Sequence, residues 1–380
     1  MSKQTKIFHF ASFDRLVDRL RDDFHSGGHD FVLLYAYNGI GKTRLSMEFK
    51  ATGKARNAGA PDTLYFNAYT EDLFVWDNDL QGDSKRVLRL NSDSRFFSGI
   101  KDLALDESIQ SYLSRYTDFD FDIDYTDWTV SFRKGEAEHI KVSRGEENIF
   151  VWCLFMAICE RVIDSHPSYD WVRYFYIDDP ISSLDDNNAI AVASDLAKLL
   201  RKAKVRIKDG IKVVVSSHHA LFFNVVCNEL RTMKTKRYFL HRPMDGEGLT
   251  LRATDDTPFF HHVAMLSEIR KAADSGTLYT YHFNMLRSIL EKTATFFGKN
   301  DFSACIEGIK DEALYSRALN LLSHGKYSLY EPTEMLEDNK RLFRDILSAF
   351  LSKHQFELPL LLNETAVAAP SAALTPEATS

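Results

Sequence analysis

At 380 residues, with a hydrophobic fraction of 44% and 28 phenylalanines, the chain exceeds the length at which one core usually stops growing, so two domains are expected. A formal charge of −7 excludes a protein that coats nucleic acid over its whole surface, while leaving room for a local basic patch. No run of about 18 apolar residues occurs, and the start MSKQTKIFHF lacks the apolar core and cleavage site of a secretory signal, so a membrane span is excluded and a cytoplasmic location is expected.

In chain order, Phe31 to Tyr37 reads as a short buried strand that runs into a glycine-containing turn, and Lys42 to Lys50 begins a helix. The segment Phe66 to Leu80, FNAYTEDLFVWDNDL, is acidic and aromatic and reads as a loop or an edge strand. Asn148 to Val162 is helical. Trp171 to Ile177 and Ile211 to Val215 are β-rich apolar runs separated by a strongly helical Asn188 to Lys204, the pattern of parallel strands joined by helices. From about Pro258 the apolar spacing turns helical, over His261–Ala273, Thr280–Phe297, Ala313–Leu322 and Met335–Leu351. The closing ETAVAAPSAALTPEATS has no large apolar periodicity and reads as a flexible tail. The expected domains are therefore an α/β head over 1–256, a helical domain over 257–363 and a disordered tail over 364–380. Cys153, Cys159, Cys227 and Cys305 stand among apolar neighbours without CxxC pairing, which suits reduced, buried thiols and no zinc site. His261 and His262 are adjacent, face different sides of a helix and make a poor metal pair.

The segment Ala36-Tyr-Asn38-Gly39-Ile-Gly41-Lys42-Thr43 fits a P-loop, with Ala36 where the first glycine usually sits. Backbone N–H groups from Asn38 to Thr43 would cradle a β-phosphate, Lys42 would neutralise the β and γ oxygens, and Thr43 would ligate Mg²⁺. Tyr174-Phe-Tyr-Ile-Asp178-Asp179-Pro180 looks like a Walker B strand end, with Asp178 holding Mg²⁺ through water and Asp179 polarising the attacking water. Ser182-Ser-Leu-Asp185-Asp186 follows, and the pair of acids, the proline and then SLD is the Walker B to D-loop succession of ABC-type ATPases. A plain acidic helix cap before Asn188 would explain only Asp185 and Asp186. Ser143-Arg-Gly145-Glu146 stands where that family carries its signature, and His218 of Ser216-Ser217-His218 where it carries a γ-phosphate sensor. Taken singly, Ser143 is as well explained by an N-cap and His218 by packing. In this fold the signature serine and glycine of one subunit close on the nucleotide of the other, so a head-to-tail homodimer is expected. Asp179 replaces the usual glutamate with a side chain one methylene shorter, which favours a slow timer over fast hydrolysis.

The Phe66–Leu80 segment, YAYNGIGKTRLS, KVSRGEEN, FYIDDPISSLDDN and YHFNMLRSILEKTATF together resemble the PrrC anticodon nucleases over about Val32 to Ser328. The resemblance implies an α/β ABC-type P-loop NTPase head with a C-terminal all-α nuclease domain. It further implies cleavage of the anticodon loop of a tRNA, that for lysine, next to the wobble base, and silencing by a type I restriction–modification complex until phage attack. ATP or GTP with Mg²⁺ would be the cofactor, with a second regulatory nucleotide such as dTTP, and the Phe66–Leu80 segment is a candidate for base or regulatory sensing. The family's nuclease triad carries over onto Arg287, Glu291 and His324. Such a triad needs no metal. A base removes the ribose 2′-OH proton, the oxygen attacks the adjacent phosphate, and an acid protonates the departing 5′ oxygen, leaving a 2′,3′-cyclic phosphate and a 5′-OH. Glu291 and His324 suit the base and acid in either order, and Arg287 would neutralise the phosphorane oxygens.

Without the resemblance, Arg287 and Glu291 are four apart and read equally as an exposed helical ion pair, and His324 as a cap. Arg317, seven residues before His324, is a further candidate phosphate contact. For RNA docking the best local stretch is Arg231 to Arg242, RTMKTKRYFLHR, whose cations are interleaved with Tyr238 and Phe239; a solvated strand flanking the ATPase sheet explains it as well. Two other classes compete. A DNA-repair ATPase would need a long coiled coil between P-loop and signature, and the intervening residues show no sustained heptads. A regulatory or DNA-sensing ATPase subunit would use its helical C-terminus to dock a separate effector.

Overall fold

The computed structural model describes residues 6–67, 74–78, 86–92, 105–181, 184, 186–206, 210–242, 248–255, 261–299, 301–306 and 334–354. The chain separates into two compact units, Met1–Phe259 and Phe260–Ser380.

In the first unit a seven-stranded mixed sheet runs in the order β1 (Ile7–Phe10), β11 (Leu249–Ala253), β10 (Thr235–His241), β2 (Phe31–Tyr35), β9 (Lys212–Ser217), β8 (Tyr174–Asp178), β3 (Thr63–Asn67). Neighbours from β10 to β3 are parallel, while β1, β11 and β10 pair antiparallel at the other edge. Strands β2 and β8 are buried at every residue, as continuous apolar runs must be when helices cover both faces. The strand period of two sorts the contacts. Val32, Leu34, Tyr174, Tyr176 and Val214 pack with helices α1 (Phe13–His25) and α2 (Lys42–Arg56). On the other face Tyr35 meets Phe223 of α6 (Ala220–Glu229) at 5.5 Å, and Phe155 of α4 (Arg144–Ile163) meets Phe66 at 4.8 Å. Helix α1 buries Phe13, Leu16, Val17, Leu20 and Phe24, an i, i+3, i+4, i+7, i+11 stripe.

A second, antiparallel sheet has the order β4 (Phe74–Asn78), β5 (Arg86–Leu90), β7 (Thr129–Arg133), β6 (Asp120–Asp124). Within Phe66–Leu80, then, Phe74–Asn78 is an edge strand, and residues 68–73, 79 and 80 lie outside the described residues. Strand β6 alternates DFDID, its three aspartates exposed. Phe121 and Phe132 stand 5.2 and 5.1 Å from Phe150 of α4, which ties this sheet to the head. Helix α3 (Asp106–Leu113) packs beside it. The expected Asn188–Lys204 helix is α5 (Asp186–Arg206).

The RNA-docking stretch Arg231–Arg242 is corrected by the structure. Its strand β10 lies inside the sheet between β11 and β2, Tyr238 and Phe239 are buried, Lys236 is paired with Asp255, and Arg237 donates to the Cys227 carbonyl. Rings sunk in the sheet cannot stack on bases, so the interleaving of cations and aromatics is strand alternation.

In the second unit helices α7 (His261–Ser275), α8 (Tyr281–Phe296) and α9 (Glu337–Lys353) and a 3₁₀ turn at Phe302–Cys305 share one core. Leu286 and Leu290 of α8 and Phe343, Ile346, Leu347 and Phe350 of α9 belong to it. Ala313–Leu322, Arg317, His324 and the tail lie outside the described residues. All four cysteines are free and buried. Among the described residues no helix is long and apolar enough to cross a membrane.

A buried ion pair clamps α1 to the start of β3. Arg21, 2% exposed, donates to Asp62 Oδ2 at 2.9 Å and to the Phe49 carbonyl at 2.8 Å, and its guanidinium lies 4.1 Å from the Phe49 ring centroid. Gly53 of α2 makes the space, since a Cβ there would fall 2.1 Å from Asp62 Oδ1. Arg21→Met leaves that carboxylate buried without its cation and is expected to cost about 3–5 kcal/mol. Urea unfolding checks it, and adding Asp62→Leu should recover most of the loss.

Candidate functional site

The parallel register sets the site. Tyr35 at the end of β2 is level with Ser217 of β9, and Asp178 at the end of β8 is level with Ser216, so three strand ends open on one edge, where ligands bind in open α/β sheets. Between β2 and α2 the loop turns through Gly39 at φ +82° and Gly41 at φ +105°. Gly41 also has no room for a side chain, because a Cβ would lie 2.7 Å from Cζ of Phe13. Ala36 is outside the left-handed region and donates its N–H to the Ser217 carbonyl at 3.1 Å, so this position needs no glycine.

Lys42 opens α2 and is 7% exposed. Its Nζ donates to the carbonyls of Ala36 and Tyr37 at 3.3 Å and to Asn38 Oδ1 at 3.2 Å, and it pairs with Asp179 Oδ2 at 3.0 Å. Thr43 Oγ1 donates to Asp178 Oδ2 at 2.9 Å, and Ser216 Oγ to Asp178 Oδ1 at 2.7 Å. Asp179 sits at φ +47° and donates its N–H to the Ser216 carbonyl. Its Oδ1 accepts from both the backbone N–H and the Nδ1 of His218, each at 2.8 Å.

The two adjacent acids therefore differ. Burial first, then the neighbouring Asp179 charge, pushes the Asp178 carboxyl up to about 6, against the hydrogen bonds from Ser216 and Thr43. For Asp179 burial acts upward too, but the His218 hydrogen bond and the Lys42 charge outweigh it and hold this carboxyl below the usual range. The donor set fits a hard divalent cation that is completed by phosphate and water: Thr43 and Asp178 offer oxygens 2.9 Å apart. Among the described residues no group of three His, Cys, Asp or Glu side chains stands ready for a metal.

Asn38, Gly39, Gly41, Lys42, Thr43, Asp178, Asp179 and His218 are thus brought together. Ser143 and Glu146 form a reciprocal capping box at α4, with Glu146 N–H to Ser143 Oγ at 3.3 Å and Ser143 N–H to Glu146 Oε2 at 2.7 Å, and Gly145 lies in the same first turn. The plain capping role of Ser143 is therefore present in the fold. Asp185, with Ser182 and Ser183, lies outside the described residues. In the second unit Arg287 Nε donates to Glu291 Oε1 at 2.7 Å along α8, and the guanidinium lies 5.3 Å from the Phe302 ring centroid. Their partner candidate His324 is outside the described residues. Sequence reasoning missed Phe13 as the wall behind Gly41, although the α1 stripe announces a packed helix. It also missed Ser216 as a holder of Asp178, signalled only by a serine closing the apolar run VVVS.

The family model for an AAA domain matches residues 104–348. A curated relative, the "Anticodon nuclease" of Escherichia coli, is 35% identical over 83% of this chain and 87% of its own length. Among solved structures, SmcHead bound to the C-winged helix domain of ScpA is 11% identical with a TM-score of 0.34, over 60% of this chain and 91% of that one. The SMC head domain of Thermotoga maritima is 17% identical with a TM-score of 0.30, over 58% and 89%.

The raised Asp178 carboxyl carries a pH signature. Because it ionises less readily folded than unfolded, its stabilising contribution is whole below the ordinary value of 3.8 and is lost as pH rises to about 6. Asp178→Asn does not ionise. Its thermal midpoint relative to wild type, read by calorimetry with EDTA and no nucleotide, should climb between about pH 4 and 6 and then level off. A flat difference would mean that the carboxyl titrates as an ordinary aspartate.

Proposed function

The chain belongs to the anticodon nuclease family, with an AAA-type ATPase domain in an α/β P-loop fold, and from this premise we propose a nucleotide-switched ribonuclease that cuts the anticodon loop of a tRNA. The observation that carries the proposal is the match to an anticodon nuclease, which extends over four-fifths of the chain. We take the substrate to be lysine tRNA, cut next to the wobble base, and the role to be antiphage defence under the control of a type I restriction–modification complex, in the cytoplasm. The head would span 1–256 and the nuclease domain 257–363.

Lys42 and the N–H groups from Asn38 to Thr43 would hold the phosphates of ATP or GTP, and Thr43 and Asp178 the Mg²⁺, which when bound screens phosphate charge. Ser143, Gly145, Glu146 and Asp185 would meet the nucleotide of a second copy in a homodimer, and dTTP would act as a separate regulator. Asp179 supports slow turnover: one oxygen faces Lys42 and the other accepts two bonds from His218, so the short side chain is fully engaged before any water is polarised. In the nuclease domain Arg287 is held to Glu291 on one helical face. Arg287 would neutralise the attacked phosphate while Glu291 and His324 exchange protons with the 2′ and 5′ oxygens, a scheme that needs no metal.

Expression of wild type is expected to leave tRNA halves ending in 2′,3′-cyclic phosphate and 5′-OH, mapped by end-specific ligation and sequencing. Arg287→Ala, Glu291→Ala and His324→Ala should each lower cleavage by about 10²–10⁴-fold without loss of nucleotide binding. Intact tRNA in wild type and variants alike would remove the nuclease and favour a regulatory ATPase subunit.

A further inference from the structure

The second unit carries a line of aromatic rings that leads from its core into solvent. Phe350 is wholly buried, and its ring lies 5.2 Å from His354. His354 stacks on Phe297 at 5.3 Å and 25°, and Phe297 meets Phe296 edge-on at 5.3 Å. Exposure rises outward, to 55% at Phe297 and 83% at Phe296. A ring left that bare costs apolar hydration; Phe296 packs edge-on against Phe297, the next ring of the line, and leaves its face open.

Cations surround the outer rings. Lys299 Nζ and Lys353 Nζ both donate to the Ala304 carbonyl, at 2.8 and 3.3 Å, so two ammonium groups converge on one oxygen beside His354. Lys292 is exposed one turn before Phe296 on α8. The acid in the adjoining turn, Asp301, is engaged as a cap, accepting the Ser303 N–H at 2.7 Å. Among the described residues, lysines therefore outnumber acids along this rim. The same 3₁₀ turn presents Ala304 to the two lysines and Phe302 to the Arg287 guanidinium, so the rings and the Arg287–Glu291 pair flank one short element.

We propose that Phe296 and Phe297, with Lys292, Lys299 and Lys353, form a stacking platform for an unpaired RNA base and its flanking phosphates. The proposal rests on the ribonuclease reading above and adds a docking surface to it. A base-paired stem offers no free ring face and is not held here, whereas a splayed loop nucleotide offers both a face for Phe296 and phosphates for the lysines. The bound strand then passes the Phe302 turn toward Arg287.

The test uses the full-length protein, an anticodon stem-loop RNA with 2′-O-methyl loop riboses that resist cutting, and a fully paired duplex of equal length, followed by fluorescence anisotropy. Phe296→Ala, at a solvent-facing position, should weaken stem-loop binding by about 5- to 150-fold while leaving duplex binding unchanged, and Phe296→Trp should restore it. Lys299→Gln and Lys353→Gln should each flatten the slope of log affinity against log salt by about 0.7. Stem-loop binding by Phe296→Ala within twofold of wild type, or equal losses on both RNAs, overturns the platform. Loss of self-association in place of RNA binding also overturns it and makes the patch a contact between copies. Uncut tRNA alongside a Phe296-dependent stem-loop complex would overturn the nuclease reading and leave the platform standing. Cut tRNA with no Phe296 dependence does the reverse.

Discussion

The register of three parallel strands is the constraint on which the head depends. Because Tyr35 is level with Ser217 and Asp178 with Ser216, the phosphate loop, the two carboxylates and His218 meet at one sheet edge without any long loop reaching for another. A slip of one residue in β8 would exchange Tyr176 for Phe175 on the α1 and α2 face and turn Asp178 away from Ser216 and Thr43. The core and the site are thus fixed by the same pairing.

Placed on this frame, Asp178 and Asp179 are neighbours in sequence with opposite surroundings. The first is enclosed, receives hydroxyl donors and resists ionisation; the second turns outward through a left-handed backbone and collects a lysine and a histidine. A non-glycine residue in that region stores of order 1–3 kcal/mol, which the surrounding contacts must hold. Two acids driven apart in this way can divide the work of holding a cation and orienting water, a division that identical environments would not permit.

How much of this was legible in the sequence depended on periodicity. Continuous apolar runs such as FVLLY and YFYID announce strands covered on both sides, and the intervening helices follow from spacing, so the three central parallel strands β2, β8 and β9 were open to reading. Outside these, only the edge strand within Phe66–Leu80 was among the readings. DFDID in β6 looks like an acidic turn until its Phe121 is found against Phe150, and the cations of β10 look like a nucleic-acid patch because alternation sends Lys236 and Arg237 to the edges of contacts that bury Tyr238 and Phe239. At the site, motif order located Lys42, Thr43, Asp178, Asp179 and His218, but no spacing rule could link Gly41 to Phe13. In the second unit Arg287 and Glu291 are geometrically an ordinary helical pair, and their proposed chemistry rests on family likeness alone.

The contact between Gly41 and Phe13 has a consequence for how this protein can change. A methyl group gained at one position or a larger ring at the other would collide, so the two sites are matched in volume although they lie on different elements. Drift at α1 is therefore limited by the phosphate loop. Because Gly41 at φ +105° admits no side chain whatever the space, it cannot answer a change at Phe13, and a lineage that loosened the first helix would have to rebuild the floor under its nucleotide.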